Sequence, residues 1–223
     1  MASTENSPTT RSSQHVTGVT AHVDSDLSSG SGEAHGQTSV RAGAEVLLEA
    51  KDHFHFCPRC GVGRAAAAAG ANPYRCGACG FTFYFNTASA VAVFIEDRDG
   101  KVLFIRRGRE PGRGKLALTG GFTDPRETGE EATRREIREE LGLELAGLTF
   151  VGAWPNQYYA GGFLVHVLDI FFRAEAATTA MTLDAEEVGG VEWLDPGTVD
   201  PEEIAFPSMR QALGAYLRGR GAV

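Results

Sequence analysis

The sequence predicts an α/β protein: a mixed sheet between helices, preceded by a small cysteine-bearing ribbon and a tail that does not fold. Three observations predict it. Apolar runs of strand length are interspersed with two helical stretches, one highly charged and one amphipathic. All four cysteines fall into two identically spaced pairs. The first fifty residues are rich in Ser, Thr and Gly and hold no Phe, Tyr or Trp, so they cannot bury enough surface to order themselves.

Residues 1–50 therefore read as a disordered tail. They lack the apolar run of a secretory signal. Arg11 and Arg41 are outnumbered by Glu5, Asp24, Asp26, Glu33, Glu45 and Glu49, which is unlike a mitochondrial presequence. The expectation is a cytoplasmic protein. Next come Cys57-Pro-Arg-Cys60-Gly and Cys76-Gly-Ala-Cys79-Gly. The spacing C-x2-C-x15-C-x2-C is a zinc signature, because each pair can wrap a tight knuckle that aims two thiolates at one ion. Gly61 and Gly80 supply the turn such a knuckle demands. Two disulfides are the alternative, in a chain with no other sign of an oxidising compartment. Four thiolates complete a tetrahedral site, so Zn²⁺ there would be structural and His53 and His55 would be surface residues. The ribbon is assigned to 54–85, with the low-complexity GVGRAAAAAGAN between its knuckles.

Residues 86–220 carry the main domain. Ala88 to Glu96 and Lys101 to Arg106 read as strands joined by the hairpin turn Asp97-Arg-Asp-Gly100. Glu130 to Leu141 contains good helix formers and neither Gly nor Pro. Thr128 or Gly129 can cap its start and Gly142 its end. Phe163 to Arg173 reads as a long buried strand and Gly190 to Asp195 as a short one. From Phe206 to Arg218, the residues Phe206, Met209, Leu213, Tyr216 and Leu217 form the stripe of a terminal helix. Trp193 is assigned to packing.

The charged helix is the candidate for chemistry, although by its charge alone it also reads as a solvated surface helix, with Arg134, Arg135 and Arg138 interleaved among the acids. At about 100° per residue, Glu136, Glu139 and Glu140 fall within an arc of about 100° on one face. Carboxylates that close repel one another unless a cation sits between them, and hard oxygen ligands on a short arc suit Mg²⁺ or Mn²⁺. Just upstream, Arg106, Arg107, Arg109, Arg113 and Lys115 form a local basic stretch suited to a diphosphate. The net charge of −8 argues against broad binding of nucleic acid, and no apolar run is long enough to span a bilayer.

Gly121 to Leu143 reads GFTDPRETGEEATRREIREELGL and fits G-x5-E-x7-R-E-U-x-E-E-x-G-U, with U a bulky aliphatic, at every fixed position. At average residue usage a chance match at a given start is on the order of 10⁻⁹. The segment resembles the Nudix box, the signature of hydrolases that cleave nucleoside diphosphates linked to another moiety. With the cysteine pairs ahead of it, the chain resembles the zinc-ribbon branch that includes NADH pyrophosphatases, over about residues 54 to 218.

The resemblance implies a Nudix α/β/α sandwich and roles for the box residues. Arg135 would pair with Glu127 and lock the loop onto the helix. Glu136, Glu139, Glu140 and the Gly120 carbonyl would hold the metal, with Glu139 or Glu140 holding the attacking water. Gly120 and Gly121 would let the backbone approach closely. A further acid outside the box is expected among Asp184, Glu186, Glu187 and Glu192, and Glu187 best matches by its position relative to Trp193. Arg106, Arg107, Gly121 and Trp154 are candidate substrate contacts. Thr119 stands where proline is common.

The implied activity is metal-dependent hydrolysis of the diphosphate linkage in NADH, NAD, ADP-ribose, FAD or a similar compound. Specificity for NADH meets a departure. The family's Ser-Gln-Pro-Trp-Pro-Phe-Pro-like array is replaced by Gly152-Ala-Trp-Pro-Asn-Gln-Tyr-Tyr159, in which only Trp154-Pro155 echoes it. Alternatives are removal of nucleotide caps from RNA and a nucleotide sensor without turnover. Selectivity is expected to rest on pocket loops such as Trp154 to Gly162, and a homodimer is compatible with the resemblance.

Overall fold

The computed structural model describes residues 48–65, 70–160, 162–177 and 180–220. The expected tail up to residue 47, and part of the low-complexity loop, lie outside the described residues. Leu48 to Ala50, at the end of that expected tail, belong to the folded unit. The Leu48 carbonyl accepts a 2.7 Å bond from the Leu164 N–H, and a short 3₁₀ turn, Ala50–His53, follows.

The ribbon consists of β1 (Tyr74–Arg75) and β2 (Thr82–Phe83), paired antiparallel. Phe54 fills its middle, ring centroids 5.7, 5.4 and 4.6 Å from those of Tyr74, Phe83 and Phe85. This is a small aromatic core, and it lies beside two buried cysteines, Cys57 and Cys76.

The main sheet contains β3 (Ala88–Glu96), β4 (Val102–Arg107), β5 (Leu116–Ala117), β6 (Leu145–Ala160), β7 (Phe163–Ala176) and β8 (Val188–Leu194). Its order is β5-β4-β3-β7-β6, with β8 added against β4. β3 and β7 run parallel while the other named pairs are antiparallel, so the sheet is mixed. Adjacent side chains of a strand point to opposite faces, and β7 uses this to bind both layers together. Phe171 packs on Phe94, which stacks on Tyr216 of α2 (Pro207–Arg220) with centroids 4.3 Å apart. Phe172 faces the start of α1 (Gly129–Leu141), where a Cβ on Gly129 would lie 3.1 Å from its ring. The central strands are thus buried on both faces and read as continuous apolar runs.

β6 is the main difference from expectation. The stretch expected to form pocket loops from Trp154 is strand as far as Ala160. Gly147, Gly152 and Pro155 hide it from pattern reading, and the register shifts between Ala146 and Thr149 and between Phe150 and Gly152 account for the broken alternation. Pro155 is tolerated because β6 lies at the sheet's edge, where one side of the strand needs no ladder donor.

Candidate active site

The loop ahead of α1 is laid down as an extra strand. Gly121 and Thr119 carbonyls accept from the N–H groups of Val91 and Val93, at 2.8 and 3.2 Å. Alternation turns the Gly120 carbonyl away from β3. Gly120 has φ 149°, and a Cβ there would collide with the Val91 carbonyl. At Gly121 a Cβ would sit 2.6 Å from the Glu136 carboxylate. Glycine is needed at both positions because backbone and carboxylate approach so closely.

α1 begins with a capping box. Glu131 N–H donates to Thr128 Oγ1 at 3.2 Å, and Thr128 N–H to the Glu131 carboxylate at 2.9 Å. Gly142, at φ 65°, ends the helix with its N–H on the Arg138 carbonyl. Between these caps Arg135 gathers the box. It makes two bonds to Glu127, at 2.8 and 2.9 Å, one to the Phe122 carbonyl at 3.0 Å, and further bonds to Glu136 and Glu139 at 2.7 and 3.1 Å. This pairing, with the Asp124 N–H, draws Glu127 down to about 2.

The other carboxylates are held under tension. Glu140 is only 6 % exposed. Burial, then the charges of Glu136 and Glu187, push it up to about 8, while the Gly120 N–H, 3.3 Å away, opposes. Burial likewise raises Glu136 against the pull of Arg135. Glu187 arrives from the turn before β8, close enough for its charge to act on Glu140. The Asp184 N–H on the Glu140 carbonyl, at 2.9 Å, pins that turn to the end of α1. Gly108, whose N–H bonds the Glu187 carbonyl, pins it to the loop after β4. Crowded, partly buried carboxylates beside a backbone carbonyl are the donor set of a hard divalent cation, which would offset their repulsion.

A cavity of about 50 Å³ opens beside these groups, lined in part by Arg107, Arg109, Gly120, Glu140, Tyr158 and Glu187. The basic stretch divides around it. Arg107, half-buried, bonds the Pro111 carbonyl at 2.6 Å and lies 4.8 Å over the Phe206 ring, with no carboxylate partner among the described residues. Arg109 instead forms a two-pronged pair with Glu187, at 2.8 and 2.9 Å. Arg106 is directed elsewhere, to Glu192 at 2.6 Å and Glu203 at 3.1 Å, because neighbouring strand positions face opposite ways. Trp154 is also apart from the carboxylates, packed edge-on against Phe171 at 5.6 Å. Asp169, buried and lining the same cavity, was not anticipated. An acid between Leu168 and Ile170, inside a buried strand, was the signal that could have found it.

A second cluster lies in the ribbon. The sulfur atoms of Cys57, Cys60, Cys76 and Cys79 all lie within 4.8 Å of one another. Cys57–Cys79 and Cys60–Cys76 are each 3.7 Å apart, close to the ~3.8 Å edge of a tetrahedral zinc–thiolate site and far from a disulfide bond. The two knuckles superpose in their bonding: Gly61 N–H to Cys57 carbonyl at 2.8 Å, Gly80 N–H to Cys76 carbonyl at 3.0 Å, and φ 72° at both glycines. Burial raises the Cys57 thiol, but the N–H groups of Cys60 and Arg59 outweigh it and bring it to about 6. His53 and His55 are exposed, and the four sulfurs group without them.

The family model described as NUDIX domain matches residues 86–213, more than half of the chain. The chain belongs to the Nudix family. It is 27 % identical over 170 residues to the NAD-capped RNA hydrolase NudC of Pseudomonas aeruginosa, covering 75 % of this chain and 57 % of the relative. It is 40 % identical over 94 residues to the ADP-ribose pyrophosphatase of Methanocaldococcus jannaschii, covering 41 % of this chain and 53 % of that protein. The chain therefore spans little more than half the length of these curated relatives. A Nudix hydrolase structure from Nitrosomonas europaea superposes with a TM-score of 0.57 at 24 % identity, over 75 % of this chain and 93 % of that one, which shows the fold. Among the described residues, no helix is long and apolar enough to cross a membrane.

Proposed function

We propose that this Nudix chain is a divalent-metal-dependent hydrolase that cleaves the diphosphate linkage of a nucleoside diphosphate derivative, such as NAD, NADH, ADP-ribose or FAD. The observation that carries the reading is the crowding of Glu136, Glu140 and Glu187 beside Gly120 and Gly121, with Glu139 tied to the same Arg135 as Glu136. Glu136, Glu139, Glu140 and the Gly120 carbonyl would hold Mg²⁺ or Mn²⁺, which lowers the pKa of bound water and offsets charge on phosphoryl oxygens. Arg135 keeps Glu136 and Glu139 in register and ties them to Glu127. Arg107, half-buried beside them, binds the diphosphate, and Gly121 lets Glu136 approach. Glu187 is the acid recruited from outside the box, and its charge acts on Glu140. Products would be a nucleoside monophosphate and a second monophosphate. Cys57, Cys60, Cys76 and Cys79 would hold Zn²⁺ in a closed structural site of a separate ribbon, residues 54–85.

Hydrolysis of a panel of NADH, NAD, ADP-ribose, FAD and dinucleoside polyphosphates with Mg²⁺ tests the reading. Glu139→Gln and Glu140→Gln should each lose at least ~100-fold in kcat, as when other electrostatic catalysts are removed. Wild type that cleaves nothing, or variants as active as wild type, would overturn it.

A second reading, removal of a dinucleotide cap from RNA, is favoured by the NudC relatives, whose similarity runs over three quarters of this chain. The net charge of −8 favours the free dinucleotide. Digestion of NAD-capped RNA beside free NAD discriminates between them. A cytoplasmic location and a homodimer accord with either.

A further inference from the structure

The cavity beside the carboxylates is also lined by Asp169. Asp169 is 3 % exposed, between β7 and α2. Its Oδ2 accepts from Asn156 Nδ2 at 2.8 Å and from Ser208 Oγ at 2.5 Å. Its Oδ1, also buried, has no hydrogen-bond partner among the described residues. A buried carboxylate oxygen without a donor is costly, and a ligand that brings one recovers that cost. Two donors on Oδ2 orient the carboxylate so that Oδ1 is an acceptor.

The walls narrow the choice of ligand. Tyr158, Phe206 and Met209 line the cavity with Asp169. The Tyr158 ring meets Phe206 at 4.9 Å and Phe122 at 5.9 Å, and Arg107 lies over Phe206. At about 50 Å³ the cavity has room only for the amino edge of a heterocycle, so the ring body would have to lie at its mouth. The same cavity continues to Glu140 and Gly120, where the diphosphate is placed above.

We propose that Asp169 Oδ1 receives the exocyclic amino group of adenine, so that the site selects adenosine diphosphate derivatives over their 6-oxo counterparts. This rests on the hydrolase reading above and supplies its base selectivity. Burial raises Asp169 while Ser208 and Asn156 oppose, and an amino donor adds to their side.

The experiment compares AMP with IMP by calorimetry in Mg²⁺. Alongside it, hydrolysis is compared for NAD, its hypoxanthine analogue and its nicotinic acid analogue. Wild type should favour adenine over hypoxanthine by at least about tenfold in both assays, and should be indifferent to the nicotinic acid exchange. In Asp169→Asn the donors of Asn156 and Ser208 hold the amide oxygen, which leaves the NH₂ in the cavity. Its preference should therefore reverse toward hypoxanthine. Equal binding of AMP and IMP, a wild-type preference for IMP, or discrimination only at the nicotinamide end would overturn the inference. If Asp169→Asn does not fold, the wild-type comparison decides alone. AMP selectivity without turnover of any dinucleotide would support adenine recognition and overturn hydrolysis, so the two readings fail separately.

Discussion

The two clusters suited to metals are built on opposite principles. The cysteine cluster is made by two copies of one local device, with a glycine at φ 72° closing each knuckle and both partners of each closing bond within one short segment. The carboxylate cluster is made by tertiary structure. Glu136, Glu139 and Glu140 come from one helix, Gly120 from a strand extension against β3, and Glu187 from a turn some fifty residues later. The difference is also energetic. Backbone N–H groups favour the thiolates of Cys57 and Cys76, while at Cys60 the Val62 N–H is outweighed by the neighbouring thiols, which push it up to about 12, so two of the four sulfurs are prepared locally for an ion. In the acid cluster only Glu127 is drawn down, by Arg135, while Glu136 and Glu140 are pushed up. On the reading proposed above, one site would depend on an ion for local order, and the other lies within a sheet that already has a full core.

The sharpest way to break this comparison is to remove zinc. Chelation, or Cys57→Ser, should abolish the ~1 zinc per chain and the ordered fold of residues 54–85, because so small a core cannot stand without its ion. Bound-metal analysis and amide exchange check this. Slow exchange should persist in β3, β4 and β7. A zinc-free wild type with a protected ribbon would defeat it.

The acid cluster should respond in the opposite sense. Glu140 is raised from the carboxylate range to about 8, so its protonated form is favoured in the fold. Its contribution to stability is then full below the unfolded value and is lost as pH rises toward 8. Metal-free wild type should lose stability between about pH 5 and 8. Glu140→Gln should remove that slope and be more stable at pH 8 by about 1–3 kcal/mol, while losing catalysis. Denaturant titrations at the two pH values, with and without Mg²⁺, decide it. A Gln variant less stable than wild type in metal-free buffer at pH 8 would mean the carboxylates are not in conflict.

The smallest effect separates two neighbouring arginines. Arg107→Ala should raise KM by about tenfold, as for a lost charge-assisted bond to phosphate, beside a modest stability loss from its contacts with Pro111 and Phe206. Arg106→Ala should leave KM unchanged and lower the unfolding midpoint, because its partners are Glu192 and Glu203. Equal KM effects from the two substitutions would remove the distinction.

Much of this protein was legible in its residues alone. β3 spans Ala88 to Glu96 as its apolar run predicts, and α1 starts and stops at the Thr128 and Gly142 caps. The four cysteines cluster as their spacing requires, and Arg135 reaches Glu127 as the box implies. These features depend on helix period, capping chemistry and short-range turns, all written within a few residues of one another. Tertiary structure decided the rest. It made β6 a strand despite its glycines and Pro155, because an edge position and bulges absorb what isolated propensity forbids. It sent Arg106 and Arg107 to opposite faces and folded Trp154 away from the acids. It also brought Glu187 near Glu140 and set Asp169 in the wall of the same cavity. Such meetings depend on how distant segments cross in space, and that is fixed only when the whole sheet packs between its two helices.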